Sequence, residues 1–511
     1  MRRLGISLVG LAMLLAGCGA AQQQAAQPSA DRPRAARKFE RIRPPAVAGL
    51  FYPREGKELS KLVDGLLANA EVVRLGKLRG LVCPHAGYEF CGSVAAAGYK
   101  QLQGRDVRTV IIMGPSHYTR FRGAALPDAD AFATPLGAIG IVEWMGELAG
   151  QKQFAVDPSC EVERPGFWPQ TGIDVHGLKD TPHTWEHSVE VQVPFVQRVL
   201  PQAEIMPVVL SVDADAAGVA RVLSERLDDR TVLVASSDLS HYYPYETANR
   251  KDTACTTAIC NLDIEAMQQQ EACGKMPILV LLHIARQRHW TATLLKQCNS
   301  GDTAADKSRV VGYAAIAFCE PEYSHQDRKR LLEIARTTIK KAVHGDELPE
   351  PSAADIPAEF AQRRACFVTL REGGQLRGCI GSMLPQESLY SGVIHMARNA
   401  ALNDFRFTPV RADEVNQLEI EISVLTIPQP LPFSSPKDLL DKLRPGVDGV
   451  VLRFGSKEAT FLPQVWKELP DKEEFLTHLA AKADLFPSAW KTTEAKVLVY
   501  QVEAFQEKDE R

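Results

Sequence analysis

Beyond residue 44 the apolar positions gather into short runs rich in Val and Ile, each bounded by turn residues, and the stretches between them repeat with helical spacing. Runs at 81–83, 107–113, 205–210, 231–235 and 310–318 predict buried strands, while Leu59, Leu62, Val63, Leu66 and Leu67 predict an amphipathic helix. Such alternation predicts an α/β domain over residues 44–320, built on a mostly parallel sheet with flanking helices. The chain turns polar around 320–327 before Leu331, Leu332, Ile334, Ala335 and Ile339 resume a helical stripe, which marks a second domain. There the runs at 365–370 and 418–425 lean toward alternation, with Glu419, Glu421 and Ser423 opposite Ile420, Ile422 and Val424. That period predicts an α+β domain whose sheet has one wet face. Residues 428–436 read as a loop.

The N-terminus follows a different pattern. Arg2 and Arg3 precede an apolar run from Leu4 to Leu15, too short to span a bilayer comfortably, and the small residues Ala16 and Gly17 follow. This is the grammar of a signal peptide over residues 1–17. Leu15-Ala16-Gly17-Cys18 resembles the bacterial lipobox, which implies cleavage before Cys18 and acylation of its thiol; an unlipidated secretory signal is the alternative. Residues 18–43, rich in Ala, Gln, Pro and Arg, are expected to form a flexible tether. The expected location is the bacterial cell envelope outside the cytoplasm, with the lipid bilayer as a partner through Cys18.

A chain of 511 residues with 45% hydrophobic and 24% charged residues is ordinary for a globular protein of several domains. Its formal net charge of -4 supplies no basic field for a polyanion, so nucleic acid is not an expected partner. The 11 cysteines are too dilute for a disulfide framework.

In open α/β sheets ligands bind beyond the carboxyl ends of the strands. Three predicted strands run into polar segments there: Pro84-His85-Ala86-Gly87-Tyr88, Gly114-Pro115-Ser116-His117, and Ser236-Ser237-Asp238-Leu239-Ser240-His241. One histidine after a strand is ordinarily a satisfied loop residue, but three at equivalent positions would converge on one edge of the sheet. Cys273 precedes a predicted buried helix with Pro277 near its first turn, where backbone amides and the helix dipole favour thiolate; alone, it also reads as a buried inert cysteine. His187 and Glu190, spaced i,i+3, are expected to share one face of a helix running toward Leu200, although by themselves they also fit a solvated or capping pair.

These segments, together with Cys91-Gly92-Ser93, Trp185-Glu186-His187-Ser188-Val189-Glu190, Cys273-Gly274-Lys275-Met276-Pro277 and Val311-Gly312-Tyr313-Ala314-Ala315, resemble the Memo family in the same order over residues 44–320. The resemblance implies a fold similar to the catalytic subunit of class III extradiol dioxygenases, non-heme iron enzymes that open catechol rings. It implies metal binding by His85, His117 and Cys273, with Asp238 and His241 as the remaining pocket residues and Tyr88, His187 and Glu190 beside them. His241 matches the acid/base histidine of the dioxygenases, a role that suits an imidazole near neutral pH, and Asp238 would orient a neighbouring imidazole. Those enzymes use two histidines and a carboxylate, whereas the third ligand here would be a thiolate, which softens the site. A transition metal is therefore expected, iron or copper ahead of zinc, with a small molecule as substrate.

In the second domain, Leu376-Arg377-Gly378-Cys379-Ile380-Gly381, Asn403-Asp404-Phe405-Arg406-Phe407 and Thr460-Phe461-Leu462-Pro463-Gln464-Val465-Trp466 resemble the AMME chromosomal-region domain, over residues 324–506. Phe405 stands where that family's motif carries proline. Gly378 and Gly381 would let backbone approach closely around Cys379, in a turn that exposes its thiol beside Arg377; a tight turn with an incidental cysteine is the alternative. Arg377, Cys379 and Arg406 are the candidate site residues of this domain. The pairing resembles a fusion of the B and A components of the AmmeMemoRadiSam system. That implies a separate radical S-adenosylmethionine protein as partner, because the Cys-x₃-Cys-x₂-Cys motif of that enzyme is absent from this chain. The expected function is that of a membrane-tethered metalloprotein performing oxidoreductive or metal-assisted chemistry on a small substrate. The alternative is a non-catalytic metal-binding or interaction module acting with the radical protein.

Overall fold

The Val- and Ile-rich runs of the first domain become strands with almost no exposed residue: Lys77–Cys83, Thr109–Pro115, Glu204–Leu210 and Thr231–Ser236. The computed structural model describes residues 38–73, 75–170, 180–304, 306–348, 356–492 and 494–508, so the expected signal peptide, Cys18 and most of the tether lie outside the described residues. The four strands run parallel in the order Lys77–Cys83, Thr231–Ser236, Thr109–Pro115, Glu204–Leu210. Burial on both faces explains their continuous apolar character. Helices Gly56–Ala68, Tyr88–Tyr99 and Lys275–Gln287 contribute to the same apolar core, the first through Leu59, Val63 and Leu67.

Away from the centre the sheet departs from expectation. Val310–Glu320 joins Lys77–Cys83 antiparallel, Thr291–Asn299 and His241–Tyr243 pair antiparallel with Val310–Glu320, and Ala124–Leu126 runs antiparallel to Glu204–Leu210. The sheet is thus mixed rather than mostly parallel. Residues 300–309, which link Thr291–Asn299 to Val310–Glu320, are too few for the crossover that a parallel neighbour needs.

Among its described residues the second domain has two main apolar centres, with a smaller cluster around Leu425 and Tyr500. Strands Gln375–Gly381, Ala365–Glu372, Leu418–Leu425 and Val502–Gln506 form one antiparallel sheet, whose buried face carries Val368, Leu370, Ile420 and Ile422. Helices His325–His344 and Leu389–Leu402 pack on that face. The first of these starts at a reciprocal cap in which Ser324 and Asp327 satisfy each other's amides. A second sheet, ordered Gln429–Pro430, Lys496–Tyr500, Gly449–Phe454, Lys457–Phe461, encloses its own core with helix Lys472–Lys482. Residues 428–436, expected as a loop, contribute the short strand Gln429–Pro430 and open helix Pro436–Lys442.

The segment that enters the first domain is pinned by Glu190. Its carboxylate, 1% exposed, pairs with Arg43 and accepts the amides of Ala46 at 2.7 Å and Val47 at 3.0 Å and the Tyr52 hydroxyl at 2.5 Å. Ile42–Arg43 also pairs with Ala131–Thr134, and the amides of Glu40 and Arg41 donate to Asp130. The chain is therefore docked before residue 43, where the tether was expected to end. Removing one partner of a buried ion pair leaves the other uncompensated. Glu190→Ala is accordingly expected to lower the unfolding free energy by about 3–5 kcal/mol in urea denaturation; a loss below about 1 kcal/mol, the size of an exposed pair, would contradict this role.

Candidate metal centre

Because the central strands run parallel, the segments leaving their carboxyl ends emerge along one edge of the sheet. That places His85, Asp238 and His117 in neighbouring loops; of the three histidines expected to converge there, His85 and His117 are grouped with His187 rather than with His241. Two glycines allow the closeness. A Cβ at Gly114 would lie 2.3 Å from Ser188 Oγ, and one at Gly274 would lie 2.3 Å from the Ser236 carbonyl oxygen, so side chains there would push away the loop carrying His187 and the turn carrying Cys273.

His85, His117 and His187 each offer a ring nitrogen, and these atoms all lie within 4.8 Å of one another. Ring centroids are 5.2 Å apart for His85 and His117, 5.4 Å for His85 and His187, and 4.6 Å for His117 and His187. The outward nitrogen of every ring is engaged: His85 Nδ1 lies 2.9 Å from Ser236 Oγ, His117 Nδ1 2.9 Å from Glu186 Oε1, and His187 Nδ1 3.2 Å from the Tyr118 hydroxyl. Nε2 is then the atom each ring has left for an ion, the arrangement in which outer partners fix ligand orientation. Cys273 Sγ lies 3.1 Å from His85 Nε2 but is outside the group whose donor atoms all lie within 4.8 Å of one another, in which His187 stands instead.

Glu186 organises the electrostatics. It is 2% exposed and accepts the backbone amides of His117 at 2.7 Å, His187 at 3.0 Å and Ser188 at 2.9 Å as well as the His117 ring. Burial works against its ionisation, but His117 and those amides hold its carboxyl well below the usual range. Burial also opposes a charge on His117; the carboxylate of Glu186 and the sulfur of Cys273 outweigh it and push that ring up to about 11. For His85 and His187 burial wins, lowering both, the latter to about 3. Burial likewise raises the Cys273 thiol and the Asp238 carboxyl.

Other predicted residues fall in different places. Asp238 does not hold an imidazole through its carboxylate: Oδ1 accepts the His85 amide at 2.8 Å, and its own amide donates to Cys273 Sγ at 3.2 Å, so it sets the backbone that carries both groups. His241 is half-buried, with Nδ1 2.9 Å from the Leu239 carbonyl oxygen. Glu190 is not part of the centre, and it shares no helix with His187: a 3₁₀ turn, Glu190–Gln192, precedes helix Val193–Val199. Tyr88 is spent on packing, its hydroxyl donating to the Val191 carbonyl at 2.6 Å and its ring lying against Tyr52 and Phe195. In the second domain Cys379 sits inside strand Gln375–Gly381 rather than in a turn, since its register with Ala365–Glu372 is continuous around Thr369. Close approach does occur there, a Cβ at Gly378 falling 2.2 Å from the Ala400 carbonyl oxygen. Arg377 pairs with Glu414 at 2.8 Å, and Arg406 with Asp404 at 2.7 Å. Reasoning from sequence missed Glu186, Ser236 and Tyr118, each of which adjoins or lies within a quoted motif but acquires its role only when the loops meet.

The family model for Memo-like proteins matches residues 43–317, and that for AMMECR1 matches residues 332–505. A MEMO1 family protein of Ignicoccus hospitalis is 34% identical over 305 residues, covering 55% of this chain and 99% of its own length. A MEMO1 family protein of Aquifex aeolicus is 34% identical over 289 residues, covering 54% and 99%. The crystal structure of an uncharacterized protein from Pyrococcus horikoshii covers 37% of this chain and 95% of its own, with 33% identity and a TM-score of 0.35.

The geometry yields two expectations. If the three imidazoles form the ligand set, His187→Ala will abolish stoichiometric metal retention as fully as His85→Ala, and Cys273→Ser will weaken it less; elemental analysis after dialysis checks this, and the reverse order would make Cys273 the third ligand. Because His117 holds a proton that an ion must displace, metal affinity should rise by about tenfold per pH unit near neutrality. Glu186→Gln should flatten that slope and cost about 10–100-fold in affinity, both readable by chelator competition across pH.

Proposed function

The chain belongs to the Memo family through residues 43–317 and carries an AMMECR1 domain at residues 332–505, and on that premise we propose that its first domain is a metal-dependent oxidoreductase acting on a small substrate. The observation that carries this reading is the division of labour within the three rings, each Nδ1 bound by protein and each Nε2 left at the centre. Imidazole nitrogens with a nearby thiol fit iron or copper, which we favour over zinc. When bound, such an ion supplies Lewis acidity and a one-electron couple. The family's likeness in fold to class III extradiol dioxygenase subunits supports oxidation of a small hydroxylated molecule. The donor set argues for a different outcome than ring opening: Glu186, the carboxylate nearest the rings, is consumed by amides and by His117, so the two-histidine, one-carboxylate pattern is not reproduced.

The chain's own residues would divide the remaining work. Glu186 and Ser236 keep His117 and His85 in fixed orientations. His241 Nδ1 donates to the Leu239 carbonyl, so Nε2 is the basic nitrogen, able to take a proton from a substrate hydroxyl and return it later. Asp238, buried beside it in sequence, holds the His85 amide and the Cys273 sulfur in register. Tethering to a membrane outside the cytoplasm is proposed from the lipobox resemblance at Cys18. Among the described residues no helix is long and apolar enough to cross a membrane. A separate radical S-adenosylmethionine protein is the proposed partner.

Oxygen uptake by the full-length, iron- or copper-loaded protein, with catechols as the probe class, tests the reading. His241→Ala is expected to slow uptake by about 10²–10⁴-fold with metal content unchanged. Equal uptake by the two proteins would overturn the acid/base role of His241, and no uptake by either would overturn the oxidoreductase reading in favour of a non-catalytic metal-binding module acting with the radical protein.

A further inference from the structure

Helix Tyr245–Cys260 buries one stripe, Ala248, Asp252, Cys255 and Ile259, at the i, i+4, i+7, i+11 spacing of a core face. Asp252 breaks that stripe with a carboxyl that is 1% exposed and whose Oδ2 has no hydrogen-bond partner. Ser240 Oγ, fully buried, is likewise without one. Loss of hydration raises the Asp252 carboxyl. An acceptor left bare inside a protein costs stability, and an apolar side chain at this place in the helix would avoid that cost. What the carboxyl gains is one bond, to the residue before His241: Oδ1 accepts the Ser240 amide at 2.9 Å.

The loop that carries His241 is clamped from two elements. From strand Val310–Glu320, the Gly312 carbonyl accepts the Leu239 amide at 2.8 Å and the Gly312 amide donates to the Ser240 carbonyl at 2.9 Å. Leu239 in turn supplies the carbonyl that engages His241 Nδ1 at 2.9 Å. From the helix comes Asp252, whose bond to the Ser240 amide is tighter than the 3.4 Å contact between the His241 amide and Glu271 Oε1. Glycine at 312 makes the two halves compatible, since a Cβ there would lie 1.9 Å from Asp252 Oδ2. No regular ladder could replace the clamp. Tyr242 has a φ of 63°, a left-handed conformation uncommon for an aromatic residue, and the pairing of His241–Tyr243 with Val310–Glu320 shifts register between His241 and Tyr243.

We propose that Asp252 is a positioning residue for His241: it holds the Ser240 peptide so that the imidazole keeps Nδ1 on the Leu239 carbonyl and presents Nε2 to a substrate, and Gly312 leaves the room this requires. The proposal rests on the reading of His241 as the acid/base group and adds to it a residue buried on a helix outside the metal centre. It is the hydrogen bond to Ser240, rather than the charge of the carboxylate, that does this work, because the bond alone reaches the backbone from which the imidazole hangs.

Oxygen uptake by full-length, metal-loaded variants provides one test. Asp252→Ala should lower kcat by about 10–100-fold with KM and metal content unchanged, the cost of a misplaced catalytic group. Asp252→Asn keeps an acceptor for the Ser240 amide and should restore the rate. Gly312→Ala, which drives the carboxyl away, should lose as much as Asp252→Ala, and the double variant no more than either, because both act through one contact. A second readout needs no turnover. Diethyl pyrocarbonate acylates accessible imidazole nitrogens, and its rate at His241, read by peptide mass spectrometry on the same full-length proteins without substrate, should differ from wild type in Asp252→Ala and match it in Asp252→Asn. Should Asp252→Ala fail to fold, Gly312→Ala and Asp252→Asn still decide. Equal acylation in all the proteins, or a kcat loss in Asp252→Asn as large as that in Asp252→Ala, would overturn the proposal. No uptake by any of them, wild type included, would overturn the oxidoreductase reading instead and leave the acylation rates to decide this one.

Discussion

One buried carboxylate, Glu186, ties the metal centre together. An isolated ion so deeply buried would cost several kcal/mol, and the protein compensates it with three backbone amides and one imidazole. Those bonds join the loop after Thr109–Pro115 to the segment before Glu190–Gln192, 69 residues apart at the His117 contact. They also decide protonation. Three imidazoles with ring centroids 4.6 to 5.4 Å apart cannot all be charged, and the carboxylate assigns the proton to His117 while burial keeps His85 and His187 neutral. The centre is thus arranged before any ion arrives, which is where preorganised ligand sets gain affinity.

Much of this was legible because strand periodicity and parallel order act together. Apolar runs located the central strands, and the rule that their carboxyl ends face one way turned three separated motifs into one edge, placing His85, His117 and Asp238. What could not be read was which side chain would face which. Glu186 and Glu190 are four residues apart and both nearly inaccessible, yet one closes around amides at the metal centre and the other around Arg43 and the entering chain. The residues between them lie in coil and a turn ahead of the 3₁₀ turn Glu190–Gln192, rather than in a helix begun at His187, and so the two carboxylates diverge. No residue-type pattern distinguishes these fates, since both depend on backbone groups brought from elsewhere.

The antiparallel part of the sheet and the second domain show the same limit in different form. Val310–Glu320 looks like its parallel neighbours because burial on both faces imposes the same composition in either direction. Its direction is set by the short link that precedes it. In Leu418–Leu425 the alternation was readable, but the face bearing Glu421 and Ser423 is not simply wet, because Gln464 reaches it from the second lobe. The Gly378–Cys379 pair suggested a turn for a sound reason, the need for close backbone approach. That need is met by a strand pressed against helix Leu389–Leu402, where the neighbour is the Ala400 carbonyl rather than the chain folding back on itself.

The two thiols singled out by sequence end in contrasting surroundings. Cys273 is placed by its helix N-terminus, as predicted, but the expected lowering of its pKa does not dominate: burial raises it, and the neighbouring imidazole only partly offsets this. Its proton is therefore retained until something worth more than desolvation displaces it, which suits a group that joins an ion rather than one that attacks an exposed electrophile. Cys379 lies part-buried within a strand, with the Thr369 hydroxyl donating to its sulfur and its backbone held by Asp404 and Arg406. Helix position alone would have ranked Cys273 the more nucleophilic of the two. Burial at Cys273 cancels that advantage, so a place at a helix N-terminus does not by itself make a thiol reactive.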